Sequence, residues 1–327
     1  MPQTLVTLAR IREAAERIRP VSRLTPVVDV SAAAGRPLFL KCENLQTAGA
    51  FKIRGAYNMA AQLTAEQCAR GVITYSSGNH AQALAFAARR LGVPVVVVMP
   101  TTAPALKIEG ARRYGAEVIL EGTTSLERQA RAESEADARG LTIVPSFDHV
   151  HIIAGQGTLG LEVIAQRPDV AAVLAPIGGG GLVAGIAAAV KRLKPGVKVI
   201  GVEPAGSAAM KASLEADGPV TLPSTASIAD GLLALRPGEL TLEHVRQLVD
   251  AVITVEDAAI ADAVRWIFEN GKLVAEPSGA VATAAVLSGA LDAAVRVEGP
   301  VVAVISGGNL DTPSFASLVS GDISRHP

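Results

Sequence analysis

Short apolar runs alternate with segments of helical hydrophobic spacing from residue 71 onward. The runs predict buried strands, and the segments between them, in which apolar residues recur every three or four positions, predict helices. The predicted strands are 72–75, 93–99, 117–121, 141–145, 171–176, 197–202, 251–255 and 300–305. The predicted helices are 79–91, 103–114, 125–139, 159–165, 182–193, 239–249, 258–268 and one that begins at Pro277. Because the apolar runs are too continuous for a sheet with one solvated face, they indicate parallel sheets covered by helices on both sides.

The pattern is less regular before residue 71. Thr7 is a suitable cap for a first helix, whose apolar face ends ahead of Pro20. Extended segments at 26–30 and 37–42 precede a helix predicted at about 52–63. At about 150 residues per domain, a chain of 327 residues is typical of two domains. The sequence therefore predicts an α/β protein with two open, mostly parallel units that face each other across a cleft.

The composition narrows the classes of partner. Hydrophobic residues make up 49% of the chain and aromatic residues 3%, and 30 basic side chains nearly balance 31 acidic ones. This balance gives no support for nucleic acid or a membrane surface, and the scarcity of aromatic residues argues against stacking on single-stranded nucleic acid. We therefore expect neither nucleic acid nor a membrane among the partners.

One uncharged segment, 170–190, is long enough to span a bilayer. Pro176 and the glycines at 178–181 lie in its middle, and such residues are unfavourable in a helix interior. A strand, a glycine turn and a helix are therefore predicted instead of a membrane span. Charged residues within 10–13 interrupt any apolar leader, and the two cysteines form neither a disulfide framework nor a metal-binding pattern. These features predict a cytoplasmic location.

Three runs of small residues follow predicted strands, at 76–80, 178–181 and 306–309. In open α/β sheets, ligands bind outside the carboxyl ends of the strands, where such turns gather. Four successive glycines are more than a tight turn needs, and free N–H groups at a helix start suit an anion. The run at 178–181 is therefore predicted to hold a phosphate group.

The glycine run alone does not identify the phosphate-bearing ligand. No Lys-Ser or Lys-Thr pair follows it, so it is not a P-loop. Gly179, Gly181 and Ala184 match the G-x-G-x-x-A outline of a dinucleotide site, and Glu203 lies near the end of the next predicted strand, where an acid binds ribose. An NAD(P)-dependent oxidoreductase is therefore one alternative.

Lys52 lies among small and apolar residues, after Gly49 and at the start of a predicted helix. The helix dipole and partial burial would both lower its pKa and leave more of the neutral amine. A neutral amine can form a Schiff base with an aldehyde cofactor and later act as a base. Because a solvated side chain is the usual state of a lysine, this role depends on the other motifs.

Six segments occur in the order and spacing of one known family. They are 51–56, 76–80, 154–158, 178–182, 276–280 and 306–309. The set resembles the pyridoxal-phosphate enzymes of fold type II, in the branch of threonine/serine dehydratases and serine racemases, over nearly the whole chain. The resemblance implies a tryptophan synthase β-like fold with pyridoxal 5'-phosphate in the cleft. Residues 1–64 and 150–327 would form a large cofactor-binding domain, and 65–149 a small domain that closes over the substrate.

The resemblance also implies which residues bind the cofactor. Lys52 would hold it covalently, and Phe51 would pack beside its ring. The others are Asn79 at the 3-hydroxyl, Ser306 at the pyridine nitrogen, Gly231 on the other ring face, and Gly178, Gly179, Gly180, Gly181 and Leu182 at the phosphate. A neutral serine at the pyridine nitrogen, in place of a carboxylate, would make the ring a weaker electron sink.

The implied reaction is β-elimination from a β-hydroxy amino acid, such as L-threonine or L-serine, to a 2-oxo acid and ammonia. The residues that would bind the substrate carboxylate are Ser76, Ser77, Gly78, Asn79 and His80. Lys52 would remove the Cα proton, and Ser77 would either serve as an acid/base on the opposite face or only bind the carboxylate. A serine racemase, a 3-hydroxyaspartate dehydratase and a non-catalytic cofactor carrier are the alternatives within this resemblance.

Departures from the family pattern favour elimination and weaken a cation site. Ala81 stands where racemases often have glycine, and 145–148 is similar to dehydratases. Glu203 and Ser207 match the family's cation ligands, but Ala209 replaces the usual aspartate. Loss of one hard oxygen ligand weakens a Mg²⁺ site more than it weakens the site of a loosely held monovalent ion. A divalent or monovalent cation is therefore a secondary candidate ligand, and the resemblance also implies a homodimer or higher homo-oligomer.

Three other features are interpreted as structural. His149 and His151 have no evident third ligand nearby, so a capping or solvated role is favoured over a metal site. Arg54 is expected to hold the fold together by ion pairing. The charged helix around 127–139 is expected to form a solvent-exposed face.

Overall fold

The computed structural model describes residues 5–76, 78–103 and 105–320. Its strands are β1 (Val27–Asp29), β2 (Leu38–Cys42), β3 (Val72–Tyr75), β4 (Val95–Met99), β5 (Glu117–Leu120), β6 (Thr142–Ile143), β7 (Ala172–Pro176), β8 (Lys198–Pro204), β9 (Ala251–Val255) and β10 (Val301–Ile305). Its helices are α1 (Leu8–Ile18), α2 (Ser31–Ala34), α3 (Lys52–Ala60), α4 (Ala65–Arg70), α5 (Asn79–Leu91), α6 (Ala105–Arg113), α7 (Ser125–Arg139), α8 (Val150–Gln166), α9 (Gly181–Leu193), α10 (Ala209–Glu215), α11 (Glu239–Leu248), α12 (Asp257–Trp266), α13 (Pro277–Leu287), α14 (Ala290–Ala294) and α15 (Thr312–Ser320).

Two sheets form the framework. The six strands of the larger sheet lie in the order β1-β2-β10-β7-β8-β9, and the four strands of the smaller sheet in the order β5-β4-β3-β6. The strand pairs of the described chain are parallel, except that β1 and β2 run antiparallel. Every residue of β4, β7 and β10 is buried, which explains their unbroken apolar sequences. The predicted α/β fold with two mostly parallel sheets is confirmed.

Helices cover both faces of the larger sheet. Leu174 and Ile200 pack with α12 and α13 on one face, whereas Val173 and Val199 pack with α8, α9 and α11 on the other. Successive residues of a strand point to opposite faces, so each strand contributes to both cores. This double coverage is why the strands lack a polar face.

Close packing of three helices fixes the start of α3. A Cβ on Gly155 of α8 would lie 2.5 Å from the Arg54 carbonyl oxygen of α3, and a Cβ on Gly185 of α9 would lie 2.5 Å from the Gly157 nitrogen of α8. Glycine at these positions therefore lets the helix backbones approach each other directly. Both α3 and α9 are thereby held against α8.

Helix α8 differs most from its prediction. The helix was predicted at 159–165, and this start was wrong, because α8 begins at Val150. Gly155, Gly157 and Gly160 lower the intrinsic helix propensity of the segment, but the close helix contacts that they permit outweigh this cost. The helices α2, α4, α10 and α14 were not predicted, because so few residues carry little helical periodicity, and α15 was also not predicted.

The uncharged segment 170–190 belongs to the larger sheet and its covering helix. It contains β7, the glycine turn and most of α9, as the sequence predicts. Its apolar side chains, such as Val173 and Ile186, lie in the core beneath the sheet. Within the described part of the chain, no helix combines the length and apolar character that a membrane crossing requires.

Candidate active site

Lys52 is the first residue of α3. The start of this helix is tied to the chain after β10, because the Phe51 N–H donates to the Ser306 carbonyl at 3.0 Å. The Lys52 Nζ donates to the Ser146 carbonyl at 3.0 Å and lies 5.1 Å from the centre of the Phe51 ring. Loss of water around the amine lowers the pKa of Lys52 to about 8. The lowered pKa expected from the sequence is confirmed, with burial as its cause.

The glycine turn at 178–181 leads from β7 into α9. Gly180 has a φ of 95°, in the left-handed region that glycine adopts readily. A Cβ on Gly179 would lie 2.3 Å from the ring of Phe147, so a side chain has no room there. The N–H groups of the first three glycines have no acceptor among the described residues. Free backbone donors at a helix start, with no side chains to cover them, fit an anionic group such as phosphate.

Phe147 joins the glycine turn to Lys52. Its ring lies against Gly179, and its backbone lies against Gly181, where a Cβ would be 3.0 Å from the Phe147 Cα. The preceding carbonyl, that of Ser146, accepts the hydrogen bond from Lys52. Phe147 was not predicted as a site residue, because one aromatic residue in a short loop has no periodicity and no charge partner.

Asp148 anchors this loop to α11. Its carboxylate accepts hydrogen bonds from the N–H groups of Glu239 and Thr241, both at 3.1 Å. The Thr241 hydroxyl in turn donates to the Gly179 carbonyl at 2.6 Å. The first turn of α11 therefore supports both the Phe147 loop and the glycine turn.

Asn79 is held between two polar side chains from distant parts of the sequence. Its Nδ2 donates to the Glu276 Oε1 at 2.5 Å, and its Oδ1 accepts from the Asn309 Nδ2 at 2.9 Å. Burial raises the pKa of Glu276 to about 7, although the Lys107 ammonium and the Asn79 hydrogen bond oppose this shift. Glu276 belongs to the motif at 276–280, but no role was predicted for it from the sequence.

Ser278 connects Ser306 to Gly231. The buried Ser306 hydroxyl donates to the Ser278 carbonyl at 3.3 Å, and the Gly231 N–H donates to the Ser278 hydroxyl at 2.9 Å. A Cβ on Gly178 would lie 3.5 Å from the Gly231 carbonyl oxygen. Ser306, Gly231 and the glycine turn are far apart in the sequence, and the structure brings them into one region.

The turn at 76–80 leads from β3 into α5. The Gly78 N–H donates to the Ser76 hydroxyl at 3.3 Å, and α5 begins at Asn79. Ser77 lies outside the residues that the structure describes. The contact between Asn79 and Asn309 joins this turn to the turn at 306–309.

His80 is buried and uncharged. Its Nε2 forms a hydrogen bond with the Val144 carbonyl at 3.1 Å, and its Nδ1 has no partner among the described residues. Burial, and to a lesser degree the charge of Lys52, lower the pKa of His80 to about 3. A neutral imidazole contributes no positive charge to anion binding, so an anion at this turn would depend on N–H and hydroxyl donors.

The predicted cation ligands Glu203 and Ser207 are engaged within the protein. The Glu203 carboxylate accepts from the N–H groups of Met210 and Lys211, at 2.8 and 2.9 Å, at the start of α10. The Ser207 hydroxyl donates to the Leu232 carbonyl at 2.9 Å. Burial raises the pKa of Glu203 to about 7. Over the described ranges no group of three His, Cys, Asp or Glu side chains could hold a metal, so the cation stays a prediction.

Two structural interpretations of polar residues are confirmed. The His149 Nδ1 accepts from the His151 N–H at 3.1 Å and caps the start of α8. The fully buried Arg54 pairs with Glu43 at 2.7 Å and with Glu162 at 2.6 Å. Arg54 therefore stabilises the position of α3, two residues after Lys52.

Residues 18–307 match the protein family described as pyridoxal-phosphate dependent enzyme. The chain is 44% identical over 322 residues to an L-threonine ammonia-lyase of Geobacter sulfurreducens, an alignment that covers 98% of this chain and 78% of that protein. It is 42% identical over 310 residues to a serine racemase of Arabidopsis thaliana, with 93% of each protein covered. The structure of maize serine racemase superposes with a TM-score of 0.92 at 39% identity, with 99% of each chain covered. The names of these relatives divide between ammonia-lyase and racemase.

Proposed function

The chain belongs to the pyridoxal-phosphate-dependent enzymes of fold type II, in the branch of threonine ammonia-lyases and serine racemases, and we propose that it catalyses β-elimination. L-Threonine or L-serine would yield a 2-oxo acid and ammonia. The observation that carries the proposal is the amine of Lys52, with its pKa lowered to about 8, close to a glycine turn with free N–H donors. Family membership decides against the NAD(P)-dependent oxidoreductase.

The described residues fit pyridoxal 5'-phosphate in three respects. The turn at 178–182 offers backbone donors for the phosphate, Lys52 offers an amine for the covalent bond, and Phe51 offers a ring beside it. Asn79 would contact the 3-hydroxyl and Ser306 the pyridine nitrogen, while Gly231 would lie on the other ring face. When bound, the cofactor supplies an electron sink for the electron pair that remains at Cα after the proton is removed.

We propose that Lys52 is the base that takes the Cα proton. With a pKa of about 8, roughly a tenth of the amine is neutral at pH 7, compared with well under a thousandth for an ordinary lysine. The Ser146 carbonyl orients the amine by accepting its hydrogen bond. The rate of proton removal should therefore rise with pH as the amine deprotonates, up to about pH 8.

Serine racemisation is the second candidate, and the similarity to the maize and Arabidopsis serine racemases supports it. It requires an acid/base on the face of Cα opposite Lys52, and Ser77 is the residue we propose for that role. In elimination, the bond from Cβ to its hydroxyl breaks after Cα loses its proton. In racemisation, a proton returns to the other face. The two reactions share their first proton transfer and differ in the next bond that changes.

We further propose that 65–149 acts as a small domain that closes over a substrate bound at 76–80, while 1–64 and 150–327 hold the cofactor. Contacts of Asn79 with Glu276 and Asn309 support a substrate site between the two parts, because they bring the start of α5 against the chain around the larger sheet. A homodimer or larger oligomer in the cytoplasm, with a weak cation site at Glu203 and Ser207, completes the proposal.

The experiment compares the products formed from three substrates. Purified protein supplied with pyridoxal phosphate is incubated with L-threonine, L-serine or L-threo-3-hydroxyaspartate, and oxo-acid release and D-enantiomer are measured together. Oxo acid in excess over D-amino acid supports elimination, and the reverse supports racemisation. Lys52→Ala is expected to lose at least about 1,000-fold in rate, since it lacks the base and the covalent attachment. Neither product from any of the three substrates would refute the proposed function.

A further inference from the structure

An ion pair beside the candidate site joins a segment next to the smaller sheet to a segment next to the larger sheet. Lys107 lies in α6, which follows β4 of the smaller sheet, and its Nζ donates to the Asp230 carboxylate. Asp230 lies in the short 3-10 turn Asp230–Leu232, between β8 and β9 of the larger sheet. The lysine side chain is 9% exposed and the aspartate side chain 44% exposed. The ammonium is therefore enclosed, and the carboxylate faces both the ammonium and the solvent.

The pair borders the turn proposed for the substrate carboxylate. A Cβ on Gly78 would lie 3.3 Å from the Lys107 Nζ, so the amine rests directly against the turn at 76–80. Asp230 immediately precedes Gly231, whose carbonyl oxygen would be 3.5 Å from a Cβ on Gly178 of the glycine turn. The pair thus lies where the turn at 76–80 meets the residues proposed to hold the cofactor.

The charges around the Lys107 amine sum to an excess of negative groups. Burial disfavours its charge, but Asp230, Glu276 and Asp311 together raise the pKa of Lys107, so the amine stays protonated. Asp230 neutralises it by direct contact. Glu276, at the N-terminus of α13, and Asp311, in the chain after β10, raise the pKa of Lys107 in the same direction, Glu276 to the extent that it is ionised. A substrate carboxylate bound here could not form an ion pair with Lys107, because the ammonium is already paired with Asp230.

We propose that Lys107 and Asp230 determine which substrate side chains the site accepts according to their charge. The pair is neutral overall, and it selects an uncharged β-hydroxy amino acid over an acidic one. The inference rests on the proposed function, because it places the substrate carboxylate at 76–80. A hydroxyl or methyl group beside the pair has no charge to be repelled. A β-carboxylate is repelled by Asp230, and it cannot pair with Lys107 unless Asp230 is displaced.

Four variants with a shared readout test the proposal. The readout is the selectivity ratio, defined as kcat/KM for L-threo-3-hydroxyaspartate divided by kcat/KM for L-serine, measured on protein loaded with pyridoxal phosphate. Asp230→Asn frees the ammonium and should raise the ratio about tenfold. Lys107→Met leaves the carboxylate unpaired and should lower it. The double variant has an uncharged pair, so its ratio should return to within a few-fold of the wild-type value.

Glu109→Gln is the matched control, because it removes one negative charge from the exposed side of the same helix, where Glu109 pairs with Arg112. Its selectivity ratio should stay within twofold of wild type. Circular dichroism checks that each variant is folded, and Asp230→Asn alone decides the outcome if Lys107→Met does not fold. An unchanged ratio in Asp230→Asn, or an equal change in Glu109→Gln, would overturn the proposal.

A failure of the proposed function is distinguishable from a failure of this inference. If the wild type forms product from neither L-serine nor L-threo-3-hydroxyaspartate, the proposed function fails. The inference is then decided by the dissociation constants of L-serine and L-aspartate, followed through the absorbance of the bound cofactor. Asp230→Asn should tighten L-aspartate relative to L-serine by about tenfold, and the absence of that change would overturn it.

Discussion

Two buried charged clusters in this protein differ in how completely their charges are matched. The scaffold cluster consists of Lys41, Glu43, Arg54 and Glu162 and lies between β2, α3 and α8. Each carboxylate receives hydrogen bonds from the Arg54 guanidinium, and Glu162 also contacts the Lys41 amine at 2.5 Å. Although burial alone would raise the pKa of Glu43, Arg54, Lys41 and Thr25 together outweigh it and hold that pKa below its ordinary value. Glu43 therefore keeps its negative charge near neutral pH.

The site cluster consists of Asn79, Lys107, Asp230 and Glu276. Its Glu276 carboxylate is as buried as that of Glu43 but less completely paired. Glu276 receives one hydrogen bond, from the neutral Asn79 amide, and its pKa is raised to about 7. With similar burial, the number of direct cationic partners decides whether a carboxylate keeps its charge. Glu43 is therefore held in its charged form, whereas Glu276 titrates near neutral pH.

Removing Arg54 from the scaffold cluster should have the largest effect on stability. Arg54→Met leaves the buried Glu43 carboxylate and the partly buried Glu162 carboxylate without their guanidinium, and Lys41 alone cannot pair with both. We expect the free energy of unfolding to fall by about 3–5 kcal/mol, measured by urea denaturation.

The matched control is Arg131→Met, because Arg131 of α7 also contacts two glutamates, Glu121 and Glu135, but its side chain is 39% exposed. Exposed pairs of this kind contribute less than about 1 kcal/mol. Equal losses in the two variants would show that burial does not distinguish the scaffold cluster from the surface.

Glu276→Gln should change how stability depends on pH. The folded-state pKa of about 7 lies above the unfolded value of about 4.3, so the folded protein binds this proton more tightly. The wild type therefore loses stability as pH rises through this interval, whereas the glutamine cannot titrate. The free energy of unfolding of the variant, relative to wild type, should rise by about 2 kcal/mol from pH 5 to pH 7.5.

Urea denaturation of both proteins at the two pH values measures this difference. Glu203, whose pKa is also raised to about 7, is present in both proteins and cancels in the comparison. Parallel pH dependence of the two proteins would mean that Glu276 is as firmly charged as the scaffold carboxylates.

Gly179→Ala should have a smaller effect on stability and a specific effect on cofactor binding. Its Cβ would overlap the Phe147 ring, so we expect a loss of at least about 1 kcal/mol in unfolding free energy. The affinity for pyridoxal phosphate, followed by fluorescence titration, should fall at least tenfold, because the turn must shift its N–H donors. Phe147→Ala in the same chain should restore part of the stability.

Gly196→Ala is the control for this substitution, since a Cβ there has no neighbour within 4 Å. Its stability and cofactor affinity should match wild type. If Gly179→Ala binds pyridoxal phosphate as tightly as Gly196→Ala, the turn at 178–181 is not the phosphate site.

The fold was predictable where one local pattern determined the structure. The consecutive valines of β4 predict a strand buried on both faces, and the structure places it in the middle of the smaller sheet. The start of α8 was not predictable in this way. Its glycines lower the helix propensity of the segment, and only packing against α3 and α9 explains why the segment is helical.

In the candidate site, too, the residues in local motifs were predictable and those with distant partners were not. Lys52 and the glycine turn stand out because each is a local motif, and the lowered pKa of Lys52 follows from burial. Glu276 was not predicted as a site residue because its hydrogen-bond partner, Asn79, is 197 positions away in sequence. Lys107 and Asp230 are 123 positions apart, so only the fold reveals their pairing.

Covalent attachment of pyridoxal phosphate to Lys52 is the most direct test of the proposed function. Purified protein is supplied with the cofactor, reduced with borohydride and digested, and the labelled peptide is identified by mass spectrometry. We expect the label on Lys52, and no labelled peptide from Lys52→Ala that has kept its circular dichroism spectrum. A label on a different lysine, such as Lys107, or wild-type protein that stays unlabelled, would contradict the proposed function.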